Sequence, residues 1–208
     1  MWVNVMNKKT DRIVIFIFIF VFICLVVPVV IKVLDDVNKV VVKEEVSKID
    51  FYGYSLSSSD SDIYKKVYDE LDDVLSKEEV DYKSYASLIS KLFVIDVFTL
   101  NNKLTSTDIG GLEFVHNDFK ANFSENLGST LYNHVLSNID GKRTQKLPIV
   151  KDVTINNVSE TKYTYNKTEY DAYLVDCSII YEEDMGYQNS IKITLIRDDR
   201  TLYIVKGE

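Results

Sequence analysis

Residues 82–101 read YKSYASLISKLFVIDVFTLN, and this stretch decides how the rest of the chain is arranged. Apolar side chains occupy nearly the whole circumference of a helix between Leu88 and Leu100, which predicts a helix that is covered on several sides. Its apolar run is short and contains Lys91 and Asp96, so it is poorly suited to crossing a bilayer. We therefore predict that this stretch forms the central helix of a hydrophobic core.

Two further helices are predicted, one before and one after the central helix. From about residue 62 to residue 75, apolar residues recur at intervals of three and four, the spacing that buries one face of a helix. A third helix is expected to begin near Asn117 or Asp118 and to end between about Asn138 and Gly141. Its apolar side chains repeat every four residues, at Phe119, Phe123, Leu127, Leu131 and Val135.

From Pro148 onward the apolar period changes from about 3.6 residues to 2, which indicates strands. Because no helix separates these strands, we expect a sequentially connected antiparallel sheet with one face on the helices and the other partly solvated. The predicted fold class is therefore α+β. Five strands are predicted, over residues 149–156, 162–165, 170–181, 190–196 and 201–206.

An unbroken apolar run, IVIFIFIFVFICLVVPVVI, extends from Ile13 to Ile31 without a charged side chain. As a helix it would be roughly 28 Å long, close to the ~30 Å hydrocarbon thickness of a bilayer. A cleaved signal peptide is disfavoured because the run is long and no small-residue cleavage motif follows it. A lipoprotein is disfavoured because isoleucine precedes Cys24. We predict a single transmembrane helix that stays attached as a signal-anchor.

The basic residues Lys8, Lys9 and Arg12 precede this run, so the positive-inside rule places the N-terminus in the cytoplasm. The predicted protein is thus a single-pass cell-membrane protein with its C-terminal domain outside the membrane. The net charge of −8 argues against binding to nucleic acid. The predicted organisation is a cytoplasmic tail (1–12), a transmembrane helix (13–31), a stalk and linker (32–61) and an extracytoplasmic domain (62–208).

The order of these parts resembles the VirB8/TcpC-type components of conjugative and type IV secretion machines. The stretches that carry the likeness are LISKLFVIDVF, DFKANFSENLGSTLY, DAYLVDCSIIY and SIKITLIRD. The resemblance implies an NTF2-like cone, in which three helices pack on a curved antiparallel sheet, and a role in assembling an envelope complex. The Asn-Pro-x-Gly turn of Gram-negative relatives is missing from this chain.

Asp96 is a carboxylate in an otherwise apolar helix, where its burial would be costly unless it is paired. One hypothesis is a ligand pocket formed by Asp96, Tyr173 and Tyr181, in which Asp96 could also serve as a general base. The alternative is structural, with Asp96 on a polar stripe of its helix together with Thr99 and Lys103.

The chain contains 14 tyrosines and 10 phenylalanines, more than one small core requires. Exposed aromatic side chains favour interfaces, so we predict a partner surface at Tyr163, Tyr165 and Tyr170. Ordinary packing on the sheet surface is the alternative. No cofactor or metal is predicted, because His116 and His134 lie far apart in the sequence and have no neighbouring cysteine.

Three functions remain open at this point. The leading hypothesis is a non-enzymatic scaffold component that assembles with protein partners, or with itself, in a cell-envelope or secretion-type complex. The second is a module that binds a small ligand. The third is an enzyme that uses Asp96.

Overall fold

The computed structural model describes residues 26–27 and 45–208. Within these residues the chain has a mixed α+β fold of three helices, a four-stranded antiparallel sheet and a separate two-stranded hairpin. The elements, in chain order, are β1 (Glu45–Ile49), β2 (Tyr54–Ser57), α1 (Asp62–Leu75), α2 (Tyr82–Phe98), a 3₁₀ helix (Leu112–Phe114), α3 (Asn117–Ser129), β3 (Val150–Tyr165), β4 (Thr168–Tyr181), β5 (Ser190–Asp198) and β6 (Thr201–Gly207).

The helices begin where the sequence offers side-chain caps. The Ser61 side chain accepts the Tyr64 N–H at the start of α1, and Asp81 accepts two N–H groups at the start of α2. Most residues of α2 are buried, including the last-turn residues Val97 and Phe98. The prediction of a central core helix is therefore confirmed.

The sheet has the order β3-β4-β5-β6, and each strand is antiparallel to its neighbours. The first two predicted strands are a single strand, β3, of 16 residues. A bulge between Ile155 and Asn157 shifts the register of β3, so that Val158 again faces the same side as Ile155. Asn166 and Lys167, both with positive φ, form the tight turn into β4.

One face of the sheet, the inner face, packs on α2. Its central residues Val175, Ile193 and Leu195 have no exposed surface and belong to the main hydrophobic core. The opposite, outer face of the sheet carries Ala172 and Ile196. The central residues of the two faces therefore belong to two different hydrophobic clusters.

A hairpin of β1 and β2 lies within the stretch that was expected to be a stalk and linker. Tyr54 of this hairpin is buried, and its hydroxyl lies 2.6 Å from that of Tyr85 and 3.2 Å from the Leu202 carbonyl oxygen. These hydrogen bonds attach the hairpin to α2 and β6. The hairpin was not predicted from the sequence, because the glycine and serine residues of this stretch leave few apolar positions that could form a periodic pattern.

In the part of the chain that the structure describes, no helix is long and apolar enough to cross a membrane. A crossing needs about 20 mostly apolar residues, whereas the longest helix here, α2, has 17 and includes Lys91 and Asp96. This finding contradicts the predicted transmembrane helix and signal-anchor, and with them the membrane-anchored fold and the single-pass localisation. The predicted span, residues 13–31, lies outside the described residues except for Val26 and Val27.

Candidate functional site

The register of the four strands gathers apolar side chains on one part of the outer face. Tyr163 lies opposite Tyr170, and Ile196 lies between Ala172 on one side and Tyr203 on the other. We call this group the outer cluster. Its floor is Ala172, Ile196 and Val205, and its rim is Phe119, Tyr163, Tyr170 and Tyr203.

The floor and the rim of the outer cluster differ in exposure. The floor is buried, with Ile196 at 0% exposure and Ala172 at 1%. The four rim side chains are half-buried. The cover of the floor is thus made of aromatic side chains that keep part of their own surface in solvent.

The rim continues toward the start of α3. The ring of Tyr165 lies 4.8 Å from that of Phe119, and the ring of His116 lies 5.6 Å from that of Tyr203. The His116 backbone N–H donates to the Ile204 carbonyl oxygen at 3.0 Å, which fixes the beginning of α3 against the edge of β6. The His116 Nδ1 atom accepts the N–H of Asp118 and so caps the helix.

The structure brings Tyr163, Tyr165 and Tyr170, the predicted partner surface, to one end of the outer face. Each is half-buried, so it packs against its neighbours and still presents surface to solvent. Tyrosines in this state offer an apolar ring and a hydroxyl donor at the same place, the combination that protein interfaces favour. Sequence reasoning missed the floor residues and Tyr203, since their grouping depends on the strand register.

Asp96 is held by two partners at the C-terminal end of α2. Its Oδ1 atom lies 2.5 Å from the Lys103 amine, and its Oδ2 atom accepts the Gly111 N–H at 2.6 Å. The Lys103 side chain is 2% exposed and that of Asp96 is 20% exposed, so the cation of this ion pair is buried and its carboxylate is partly exposed. Thr99 instead accepts the Val150 N–H. The alternative prediction placed Asp96, Thr99 and Lys103 on one polar stripe. The structure pairs Asp96 with Lys103, whereas Thr99 has a different partner.

The predicted ligand-pocket residues lie in different surroundings. They are Asp96, Tyr173 and Tyr181. Asp96 lines a cavity of about 130 Å³, small beside the 300–1,000 Å³ typical of ligand pockets. Tyr173 lines a different, open cavity and stacks on Tyr82, with ring centroids 6.5 Å apart. The Tyr181 hydroxyl donates to the Gln188 carbonyl oxygen, and burial raises the pKa of Tyr181 to about 12.

Glu113 is a further carboxylate in the cavity beside Asp96. It accepts a hydrogen bond from the Tyr64 hydroxyl at 2.9 Å and one from the Ser55 N–H at 3.3 Å. Burial raises the pKa of Glu113, while these two hydrogen bonds oppose the shift. Sequence reasoning did not single out Glu113, because nothing in its local pattern places it beside Tyr64. Over residues 26–27 and 45–208, no group of three or more His, Cys, Asp or Glu side chains could hold a metal ion.

Comparisons of this chain with protein families, with curated proteins and with solved structures find no match.

Proposed function

We propose that the domain is a non-enzymatic assembly module that binds a partner protein through the outer cluster. The observation that carries this proposal is a buried apolar floor that is covered by half-buried aromatic side chains. A partner that packs on Tyr163, Tyr170 and Tyr203 would bury the remaining ring surface. Such burial contributes about 25 cal/mol of binding free energy per Å² of apolar surface. The tyrosine hydroxyls would add orientation through hydrogen bonds.

The chemistry of the other candidate groups favours binding over catalysis. Both carboxylate oxygens of Asp96 already have partners, Lys103 and the Gly111 N–H, and these hold the end of α2 in place. Burial raises the pKa of the Cys177 thiol to about 12, so this group stays protonated near neutral pH and is a poor nucleophile. Both groups therefore suit a structural role.

The predicted resemblance to VirB8/TcpC-type components favours the same kind of function, because those proteins are assembly components of larger machines. Since the predicted membrane span is contradicted, this argument uses only the stretches of the helices and the closing strands. It supports a partner-binding role in general terms and contributes no individual residue. The choice of the outer cluster as the binding surface is based on the exposure and register of its side chains.

Affinity capture with matched tyrosine variants tests the proposal. Tyr163→Ser and Tyr170→Ser alter the rim, whereas Tyr181→Ser alters a half-buried tyrosine of β4 that packs against the main core on the inner face. We expect each rim variant to retain less than a tenth of the partner captured by the parent chain, and the control to retain most of it. Thermal melting of each variant verifies that the domain is folded.

The proposal fails if the rim variants are folded and still capture the same proteins in the same amounts. It also fails if Tyr181→Ser, when folded, loses them to the same extent. Capture of proteins by the parent chain alone does not support it, because such capture does not locate the binding surface.

A further inference from the structure

The two edges of the main sheet differ. At the β6 edge, Val115 forms a bridge with Ile204, and the His116 N–H donates to the same residue. At the β3 edge, no other strand of the described chain is paired. From Asn157 to Tyr165 the pairing of β3 with β4 runs without a register shift. This edge is therefore a regular row of backbone groups that another strand could join.

The turn into β4 determines which residues direct their backbone groups to that edge. Tyr165 and Thr168 close the two-residue turn and form a hydrogen-bonded pair. In an antiparallel ladder, hydrogen-bonded pairs alternate with pairs that are not hydrogen-bonded, so every second residue of β3 points its N–H and C=O away from β4. The residues that do so are Val158, Glu160, Lys162 and Thr164.

Glu160 and Lys162 are opposite charges placed on either side of Thr161. Their side chains are 65% and 59% exposed. If a second β3 lies antiparallel with a two-fold axis at Thr161, Glu160 of each copy faces Lys162 of the other. An axis at Glu160 would instead bring two glutamates together, and an axis at Lys162 would bring two lysines together. Charge complementarity thus selects a single register among these three.

We propose that β3 pairs with β3 of a second copy of this chain, antiparallel and centred on Thr161, to form a continuous eight-stranded sheet. The contact is isologous, because the same nine residues serve on both copies. Both residues of each charged pair direct their backbone groups to the edge, so the ladder hydrogen bonds and the charge pairs agree in register. Val158 then faces Thr164 of the other copy.

The existing ion pairs of these residues are compatible with this contact. Glu160 lies 3.2 Å from Lys83, and Lys162 lies 2.6 Å from Asp171. Both pairs are exposed, so each charge can interact with a second opposite charge from the other copy. The contact would also place Ser159, Thr161 and Tyr163 of the two copies side by side on the outer face. The ladder hydrogen bonds of this contact use the strand edge, whereas the proposed partner binding uses the rim. Tyr163 belongs to both, because it is a rim residue within the paired segment and would lie beside Ser159 of the other copy.

Disulfide trapping in the full chain tests the register. With Cys24 replaced by alanine, Thr161→Cys would face itself across a pair that is not hydrogen-bonded, where the Cα atoms are ≈4.5 Å apart, within disulfide range. We expect mild oxidation to convert most of this variant to a linked dimer. Ser159→Cys or Tyr163→Cys alone should link at least tenfold less, whereas a mixture of these two should link. The remaining Cys177 is buried.

Charge variants in the Thr161→Cys background test the charge pairing. Glu160→Lys makes the edge wholly basic and Lys162→Glu makes it wholly acidic, so each alone should reduce dimer formation at least tenfold. Their co-expression should restore it as a heterodimer, because both charged pairs are then complementary. The proposal is overturned if Thr161→Cys gives no dimer, if all three cysteine positions link equally, or if co-expression does not restore linking.

Discussion

The central residues of the inner and outer faces of the sheet are equally buried, but different groups cover them. Leu195 on the inner face and Ile196 on the outer face are neighbours in β5, and both have 0% exposure. Leu195 belongs to the main core, which also contains the buried side chains of α2, whereas Ile196 belongs to the outer cluster with its half-buried aromatic side chains. A helix is a permanent cover, but a rim of half-exposed rings can be extended by another protein. This difference is the reason to expect binding at the outer face.

The largest expected effect on stability comes from breaking the ion pair between Asp96 and Lys103. Asp96→Ala leaves the Lys103 amine buried without this carboxylate, and breaking a buried pair costs about 3–5 kcal/mol of unfolding free energy. Urea denaturation measures the change. The double variant Asp96→Leu with Lys103→Met removes both charges, so it should be more stable than Asp96→Ala. Equal stabilities of the two variants would contradict the ion-pair interpretation.

The adjacent residues of β5 compare the two faces directly. We expect Leu195→Ala to lower the unfolding free energy toward the upper end of the ~2–5 kcal/mol range for such truncations, because the fully buried side chains of the main core have little room to move into the cavity. Ile196→Ala should lie toward the lower end, since the rim side chains can move inward. Denaturation curves of both variants test this order. A larger loss for Ile196→Ala would mean that the outer cover is the more rigid one.

Substitutions at two glycines should differ less in their effect on stability. Gly111 lies against the side chains of α2, whereas Gly128 lies in α3, which is loosely packed. Gly111 has φ +74°, and a Cβ there would lie 2.7 Å from the Val97 side chain. Gly111→Ala should therefore cost about 1–3 kcal/mol. Nothing lies within 4 Å of a Cβ at Gly128, so Gly128→Ala should be neutral or stabilising by up to about 1 kcal/mol. Thermal melting distinguishes the two results.

The smallest effect concerns the pH dependence of stability. The raised pKa of Glu113 means that the folded protein keeps this proton at pH values where the unfolded chain has released it. Stability should therefore fall as pH rises from the ordinary glutamate range through the folded pKa. Glu113→Gln should remove this part of the slope, whereas the exposed control Glu78→Gln should leave it unchanged. An unchanged slope in Glu113→Gln would show that another group is responsible.

The features that sequence predicted well are those with a local cause. Helix α1 covers residues 62–75 as the apolar spacing indicated, and the alternation in β4 placed Val175, Cys177 and Ile179 on the core side. Helix α3 ends at Ser129, well before the predicted end between about Asn138 and Gly141. The sequence Gly128-Ser129-Thr130 explains the early end, because these are weak helix formers.

The features that sequence did not predict depend on contacts between distant residues. The outer floor joins Ala172, Ile196 and Val205 from three strands, and only the pairing register makes them neighbours. The bulge in β3 also has no signal in the sequence. Beyond it, residues 157–161 continue to pair with β4, and this pairing joins the two predicted strands into one. The apolar run at 13–31 was the strongest local pattern, yet it predicted a membrane architecture that the described helices contradict.

Site-specific photocrosslinking in cells tests whether the outer cluster is a binding surface. A photoreactive phenylalanine derivative replaces Tyr170 in one variant and Tyr181, a tyrosine of the same strand on the inner face, in a matched control. We expect a discrete crosslinked product from position 170 that is lost when Tyr163→Ser is added, and no such product from position 181. No product at 170, or the same product from both positions, would contradict it.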